Sequence, residues 1–134
     1  MLVDSGAIVN LMPYPLYKKL GGTNEELVKT NMAISGVGGG APILARGVAN
    51  MELTIGSKTL ATVFFIADVQ GSYNLILGRN WIHANHCVPS SLHHFLIQWA
   101  DDAVEVVHLD SSADVATIDA PTLGRARCYC LLVW

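Results

Sequence analysis

The sequence is poor in charge: only 14% of its 134 residues are Asp, Glu, Lys or Arg, and the formal net charge is -3. It contains no basic arm or lysine and arginine cluster, which excludes the electrostatic signature of a nucleic-acid-binding protein. No apolar run approaches the ~20 residues of a membrane-spanning helix, and no basic segment precedes an apolar stretch as in a signal peptide. We therefore expect neither nucleic acid nor a membrane among its partners.

Cysteine is scarce, with three residues in the chain. An odd number does not build a disulfide framework, so we predict an intracellular and cytoplasmic location, where thiols stay reduced. Hydrophobic residues make up 51% of the sequence. That share fills the core of one compact domain and excludes a disordered chain.

The pattern of apolar residues predicts a mainly β chain with one or two short helices. Polar and apolar residues alternate from Met51 to Ile55, as in a half-buried strand. Prolines near the start and glycines past the end favour a short helix over 11–20, and a second helix is predicted over 79–84. The predicted strands cover 31–34, 51–55, 60–66, 74–77, 95–99 and 104–108.

Three motifs along the chain carry the functional signal. The triplet Asp4-Ser5-Gly6 follows an apolar start, which places a carboxylate at the end of a buried strand, on a tight turn. Four glycines lie within the five residues 36–40, as in a hinge or hairpin tip. An apolar strand then runs into a glycine and a short helix at 74–80.

In this order and spacing, the motifs resemble those of retropepsin-like aspartic proteases, especially the ones in plant long-terminal-repeat retrotransposon polyproteins. The resemblance implies a mainly β acid protease fold, a closed barrel with one or two short helices, over residues 1–110. It also implies an endopeptidase that processes a retroelement polyprotein. Residues 111–134 would be a linker-like segment and an apolar tail of unknown role.

The resemblance assigns a role to each motif. The catalytic loop would consist of Asp4, Ser5 and Gly6, with Ser5 bonding across a dimer. The flap, a hairpin that closes over an extended peptide substrate, would contain Gly36, Val37, Gly38, Gly39 and Gly40. The residues that support the active site would be Ala7, Ile76, Leu77, Gly78 and Arg79.

An aspartic protease needs two carboxylates that share one proton, and the chain has a single Asp-Ser-Gly triplet. A chain with one triplet builds the pair only as a homodimer, with one Asp4 from each copy. The reaction uses an activated water, so we expect no cofactor and no metal.

The chain departs from the family in two places. Few residues precede the triplet, so we predict a truncated N-terminus, an exposed sheet edge and a smaller dimer interface. Ile8 and Val9 stand where an acid is frequent in the family, so Arg79 would need another partner such as Asn10. The alternative function is therefore a catalytically inert retropepsin-like fragment, or a protein-interaction module derived from a retrotransposon.

Two other readings of the motifs are weaker. The glycine segment matches a dinucleotide-binding pattern, but that pattern needs a following helix, whereas Pro42 and a strand-like segment follow. His83 and Cys87 would share one face of a helix at a spacing that binds zinc. We interpret them as ordinary surface and core residues.

Overall fold

The computed structural model describes residues 1–36, 40–69 and 74–108, together with the backbone of 126–127 and 132–133. The fold is mainly β with two short helices, as predicted. The strands are β1 (Leu2–Val3), β2 (Leu11–Pro13), β3 (Ala33–Ile34), β4 (Ile43–Leu44), β5 (Gly47–Ile55), β6 (Lys58–Ala67), β7 (Ile76–Leu77), β8 (Cys87–Ser90), β9 (Phe95–Ala100), β10 (Ala103–His108), β11 (Ala126–Arg127) and β12 (Leu132–Val133). The helices are α1 (Tyr14–Lys19) and α2 (Arg79–Ala84).

The largest sheet has seven strands in the order β11-β5-β6-β2-β7-β1-β12. Its centre brings distant segments together: β1 pairs in parallel with β7, and β2 pairs in parallel with β6 and antiparallel with β7. No pairing within the described residues joins the two ends of this order. The closure of the barrel therefore stays a prediction.

The longest hairpin joins β5 and β6 through a turn at Gly56, whose φ of 59° is the left-handed conformation that glycine adopts readily. Along β5 and β6 one set of alternate side chains points into the core, and among these Leu53, Phe64 and Ile66 are almost fully buried. Strand β5 begins four residues before the predicted segment 51–55, and β6 extends beyond the predicted 60–66 at both ends.

The bounds of the two helices can be compared with those predicted from the sequence. Helix α2 covers the predicted residues 79–84 and buries Trp81 and Ile82. Helix α1 is shorter than the prediction of 11–20, because the first residues of that segment form β2, where Met12 is buried in the sheet. Gly21, with a φ of 89°, follows the last turn of α1.

A second sheet contains β8, β9 and β10 in the order β10-β9-β8. Strand β8 was not predicted, because a four-residue strand that contains Pro89 carries little periodic signal. The side chain of Gln98 on β9 is fully buried and joins this sheet to the long hairpin. Its amide donates to the carbonyl of Ile55 and to the carboxylate of Glu105, each at 2.8 Å.

The tail is described only at two pairs of backbone residues. Strand β11 pairs with β5 and β12 pairs with β1, both in parallel. The other residues of 109–134, including the predicted boundary at 110 and the linker-like segment, lie outside the described residues. The division into residues 1–110 and 111–134 stays a prediction. Within the described part of the chain, none of the helices has the length and apolar character to cross a membrane.

Candidate functional site

The Asp4 carboxylate lies at the end of β1, on a tight turn. The Asp4 amide donates to the carbonyl of Leu77 at 2.9 Å, which extends the pairing of β1 with β7 by one residue. The Gly6 amide then donates to Asp4 Oδ1 at 2.7 Å, and the Ala7 amide donates to the Asp4 carbonyl at 3.2 Å. The turn therefore holds the carboxylate with a hydrogen bond from its own backbone.

The loop lies at the protein surface. Ser5 and Gly6 are exposed, Asp4 is partly exposed, and Ile8 keeps 63% of its surface accessible. Within the described part of the chain, no other residue covers the Ile8 side chain. This surface is open to a substrate or to a second copy of the chain.

An apolar row crosses the sheet beside the carboxylate. The register aligns Phe65 with Leu11, Leu11 with Ile76, and Ile76 with Leu2 across four adjacent strands. The first three side chains are partly exposed, whereas Leu2 is buried. Because residues two apart in a strand share a face, Asp4 continues the face on which Leu2 lies. By this alternation the Asp4 side chain lies on the same face as the apolar row, two residues beyond Leu2.

Gly78 passes directly beneath the loop. A Cβ added there would lie 2.4 Å from the carbonyl oxygen of Val9 and 2.9 Å from that of Ala7, distances that no side chain accepts. The next two amides of α2 bind the same loop: Arg79 donates to the Ala7 carbonyl at 2.9 Å and Asn80 to the Ile8 carbonyl at 3.3 Å. Only glycine allows this close approach.

Asn10, named in the sequence analysis only as a partner for Arg79, supports the loop through its own side chain. Its side chain is 4% exposed; Oδ1 accepts the Gly78 amide at 2.9 Å, and Nδ2 donates to the Val63 carbonyl at 3.0 Å. The Asn10 carbonyl also accepts the Phe65 amide at 2.9 Å. A lone asparagine between Val9 and Leu11 at the start of an apolar strand was the available signal, because a polar side chain buried there needs partners.

Asn10, offered in the sequence analysis as one partner for Arg79, binds Val63 and Gly78 instead. The Arg79 side chain is exposed, and it takes part in no ion pair among the described residues. Its contribution to the site comes from its backbone amide. The buried side-chain amide of Asn10 instead binds the Gly78 backbone directly.

The glycine-rich segment extends from the two-stranded sheet of β3 and β4. Gly36 and Gly40 are exposed, and no atom lies within 4 Å of a Cβ built on either. Val37, Gly38 and Gly39 lie outside the described residues. A hairpin therefore exists at the position predicted for the flap, and its role stays a prediction.

The zinc hypothesis finds no geometric support. Helix α2 ends at Ala84, so Cys87 lies on β8 and does not share a helix face with His83. Cys87 is buried, its Sγ donates to the Ile82 carbonyl at 3.6 Å, and burial raises the pKa of its thiol. Within the described residues, no three His, Cys, Asp or Glu side chains come together as a metal site.

The fold is similar to a solved structure, the retroviral protease-like domain of Ddi1 from Leishmania major. The two share 21% sequence identity with a TM-score of 0.58, over 82% of this chain and 83% of the other. No protein-family model and no curated protein matches the sequence. This similarity establishes a retroviral protease-like fold, and it does not establish an origin in a plant retrotransposon.

Proposed function

We propose that the protein is an aspartic endopeptidase that acts as a homodimer, with Asp4 of each copy forming the catalytic pair. One observation carries the proposal: the Asp4 carboxylate is fixed at the end of β1, above Gly78 and beside an apolar row, in a retroviral protease-like fold. Ser5 and Gly6 shape the loop. Ala7, Ile76, Leu77 and Gly78 hold it from below.

The chemistry follows from two carboxylates close enough to share one proton, since both cannot ionise at about 3 Å. The ionised Asp4 takes a proton from a water molecule as the water oxygen attacks the peptide carbonyl carbon. The protonated Asp4 of the other copy gives its proton to the carbonyl oxygen, so a neutral tetrahedral intermediate forms. When the C–N bond breaks, the amine nitrogen takes a proton from the pair, and a hydroxyl group of the intermediate returns one proton to the pair as the carboxylic acid is released.

A second copy is needed because each chain offers one Asp4 loop. Residues of that loop are exposed, so two loops can meet across a two-fold axis without unfolding either chain. Ser5, the exposed hydroxyl next to Asp4, is proposed to bond to the partner loop. The homodimer is thus a requirement of the proposed chemistry.

The proposed substrate is an extended peptide with apolar side chains near the scissile bond. The row of Phe65, Leu11 and Ile76 offers apolar surface to such side chains, and the hairpin of β3 and β4 is the proposed cover. A retroelement polyprotein is the proposed natural substrate, because it presents extended linkers between domains. The proposed location is the reducing interior of a cell, since the described cysteine, Cys87, is a buried free thiol.

Cleavage of an unstructured protein over pH ~4–7 tests the proposal, with the wild type beside Asp4→Asn. Asp101→Asn is the matched control, because Asp101 is an exposed turn residue with a φ of 53° that asparagine also adopts. We expect cleavage by the wild type and the control, loss of at least ~100-fold in kcat for Asp4→Asn, and a dimer in sedimentation.

Equal cleavage by Asp4→Asn would exclude the proposed pair. Absence of cleavage by a folded, dimeric wild type would instead favour the non-catalytic protein-interaction module. An active protein that is a monomer at the assay concentration would contradict the shared site.

A further inference from the structure

The hairpin of β3 and β4 is isolated from the rest of the sheet structure. Among the described residues its two strands pair with each other and with no third strand, and Ile43 and Leu44 keep 38% and 64% of their surface exposed. A two-stranded hairpin is marginally stable in water by itself. Its resting position therefore depends on how its base is attached to the main sheet.

The base is attached by a backbone bridge between Val28, ahead of β3, and Val48 on β5, and by two consecutive residues after β4. The amide of Ala45, which is 3% exposed, donates to the Met32 carbonyl at 3.0 Å and closes the hairpin. The amide of Arg46 donates to the Ile66 carbonyl on β6 at 2.7 Å. The hairpin thus passes directly into β5 at a point next to the end of β6.

The side chain of Arg46 joins three segments at that point. Its Nε donates to Asp68 Oδ2 at 2.7 Å, beyond the end of β6, and its guanidinium carbon lies 4.1 Å from the ring centre of Tyr14 at the start of α1. The Tyr14 hydroxyl donates in turn to Asn24 Oδ1 at 2.9 Å. A guanidinium stays charged in proteins, and the hydrogen bond to Asp68 raises the pKa of Arg46 further above its ordinary value.

We propose that Arg46 is a positioning residue that fixes the resting orientation of the β3–β4 hairpin through Asp68 and the Tyr14 ring. A planar guanidinium binds a carboxylate along its edge and an aromatic ring on its face at the same time, and an ammonium group cannot do both. The consequence for peptide affinity rests on the proposed protease function. The anchoring of the hairpin is independent of the proposed protease function.

Hydrogen exchange tests the anchoring without any assay of activity. We expect Arg46→Gln and Arg46→Lys to speed amide exchange in β3, β4 and Ala45 by about fivefold, as for the loss of an exposed ion pair and a cation–π contact. Exchange in β5 and β6 and the melting temperature should change little. Lys29→Gln is the matched control, since it removes an exposed positive charge near the same hairpin.

Two tyrosine variants separate the ring from the hydroxyl. Tyr14→Phe keeps the ring under Arg46 and should leave hairpin exchange at the wild-type rate, whereas Tyr14→Leu should reproduce part of the Arg46→Gln effect. In an active enzyme, Arg46→Gln should raise KM about fivefold and leave kcat within about twofold, because the group does not touch the reacting atoms.

Wild-type exchange rates in the hairpin of Arg46→Gln would overturn the proposal. Faster exchange with an unchanged KM in an active enzyme would overturn its link to substrate. If the protein cleaves nothing, the exchange result still decides the anchoring, so the failure of the proposed function and that of this inference are distinguishable.

Discussion

Two buried side-chain amides join segments that are distant in the chain, and they bind different kinds of partner. Asn10, beneath the Asp4 loop, binds only backbone: the Gly78 amide and the Val63 carbonyl. Gln98, between the two sheets, binds the Ile55 carbonyl, the amide of Asn85 and the carboxylate of Glu105. The first junction is neutral and the second contains a charge.

The charge makes the second junction sensitive to pH. Hydrogen bonds from Gln98, and then from Ser57, lower the pKa of Glu105 below its ordinary value of 4.5. The Ser57 hydroxyl donates to this carboxylate at 2.7 Å, and the Ser57 amide donates to it at 3.0 Å. Protonation of Glu105 weakens these bonds, so the contact between the sheets loosens in acid.

The comparison teaches that the support beneath the candidate site contains no ionisable side chain. The hydrogen bonds of the Asn10 side chain join it to backbone groups, so this support of the proposed Asp4 pair does not itself titrate. A charged brace in that place would also couple its own titration to that of the pair. The charged junction lies instead at the second sheet, where β9 and β10 meet the β5–β6 turn.

The largest expected loss of stability comes from substitution of Gly78, which belongs to the neutral junction of Asn10. Gly78→Ala places a Cβ against the carbonyl oxygens of Val9 and Ala7, so the loop must move. We expect a loss of about 3 kcal/mol in the free energy of unfolding and loss of cleavage, measured by chemical denaturation and by peptide assay.

Gly40→Ala is the matched control for stability, since the space around a Cβ at Gly40 is open and its backbone is not left-handed. We expect the control to stay within about 0.5 kcal/mol of the wild type. A Gly78→Ala protein of wild-type stability would show that the loop is not packed against this glycine.

An intermediate loss of stability is expected when the neutral side chain of Asn10 is replaced by one that titrates. Asn10→Asp keeps the shape, but at pH 7 it leaves a buried carboxylate facing the Val63 carbonyl, at a cost of about 3 kcal/mol. The loss should shrink as pH falls, because a protonated carboxyl group donates to Val63 and accepts from Gly78. Urea denaturation at pH 7 and pH 4 measures the difference.

Asn50→Asp on β5 supplies the control, because Asn50 is exposed and opposite Val63 in the same hairpin. It should show no comparable pH dependence. A destabilisation of Asn10→Asp that is equal at both pH values would mean that the brace does not respond to protonation, and the contrast between the two junctions would fail.

The smallest effect is expected at the charged junction. The lowered pKa of Glu105 means that its contribution is fully present above the unfolded value of 4.5 and is lost as pH falls through the folded value. Because Glu105 is partly open to solvent, Glu105→Gln should cost only about 1 kcal/mol at pH 7. The difference from wild type should shrink progressively as the pH falls below 4.5 in thermal unfolding.

Glu52 is exposed on β5, and Glu52→Gln tests whether removing any carboxylate charge lowers stability at pH 7 as Glu105→Gln does. We expect it to follow the wild type at every pH. A Glu105→Gln protein whose deficit persists unchanged at pH 3 would show that the junction depends on packing and not on charge.

Local patterns predicted much of the fold. Helix α2 and the hairpin of β9 and β10 lie where apolar spacing and turn residues placed them, because those signals act over a few neighbouring residues. The short strand β2 was read as the start of a helix. Its strand conformation comes from pairing with β6 and β7, more than fifty residues away along the chain.

The candidate site divides in the same way. The triplet at Asp4 and the strand into Gly78 were visible in the sequence, because a tight turn and an apolar run are local features. Three features were not visible in the sequence: the hydrogen bonds of Asn10, the contact of Arg46 with Asp68 and the exposed position of the Arg79 side chain. Each of these features depends on which segments, distant along the chain, become neighbours in the folded protein.

The sequence by itself determined a mainly β domain with a carboxylate on a glycine turn. Alternation, turn chemistry and composition are properties of neighbouring residues, and these suffice for such features. Only the tertiary structure decided that a buried neutral amide holds the loop and that an arginine joins the hairpin base to α1 and β6. Those contacts arise when strands distant in the chain become neighbours in one sheet and leave polar groups that must find partners.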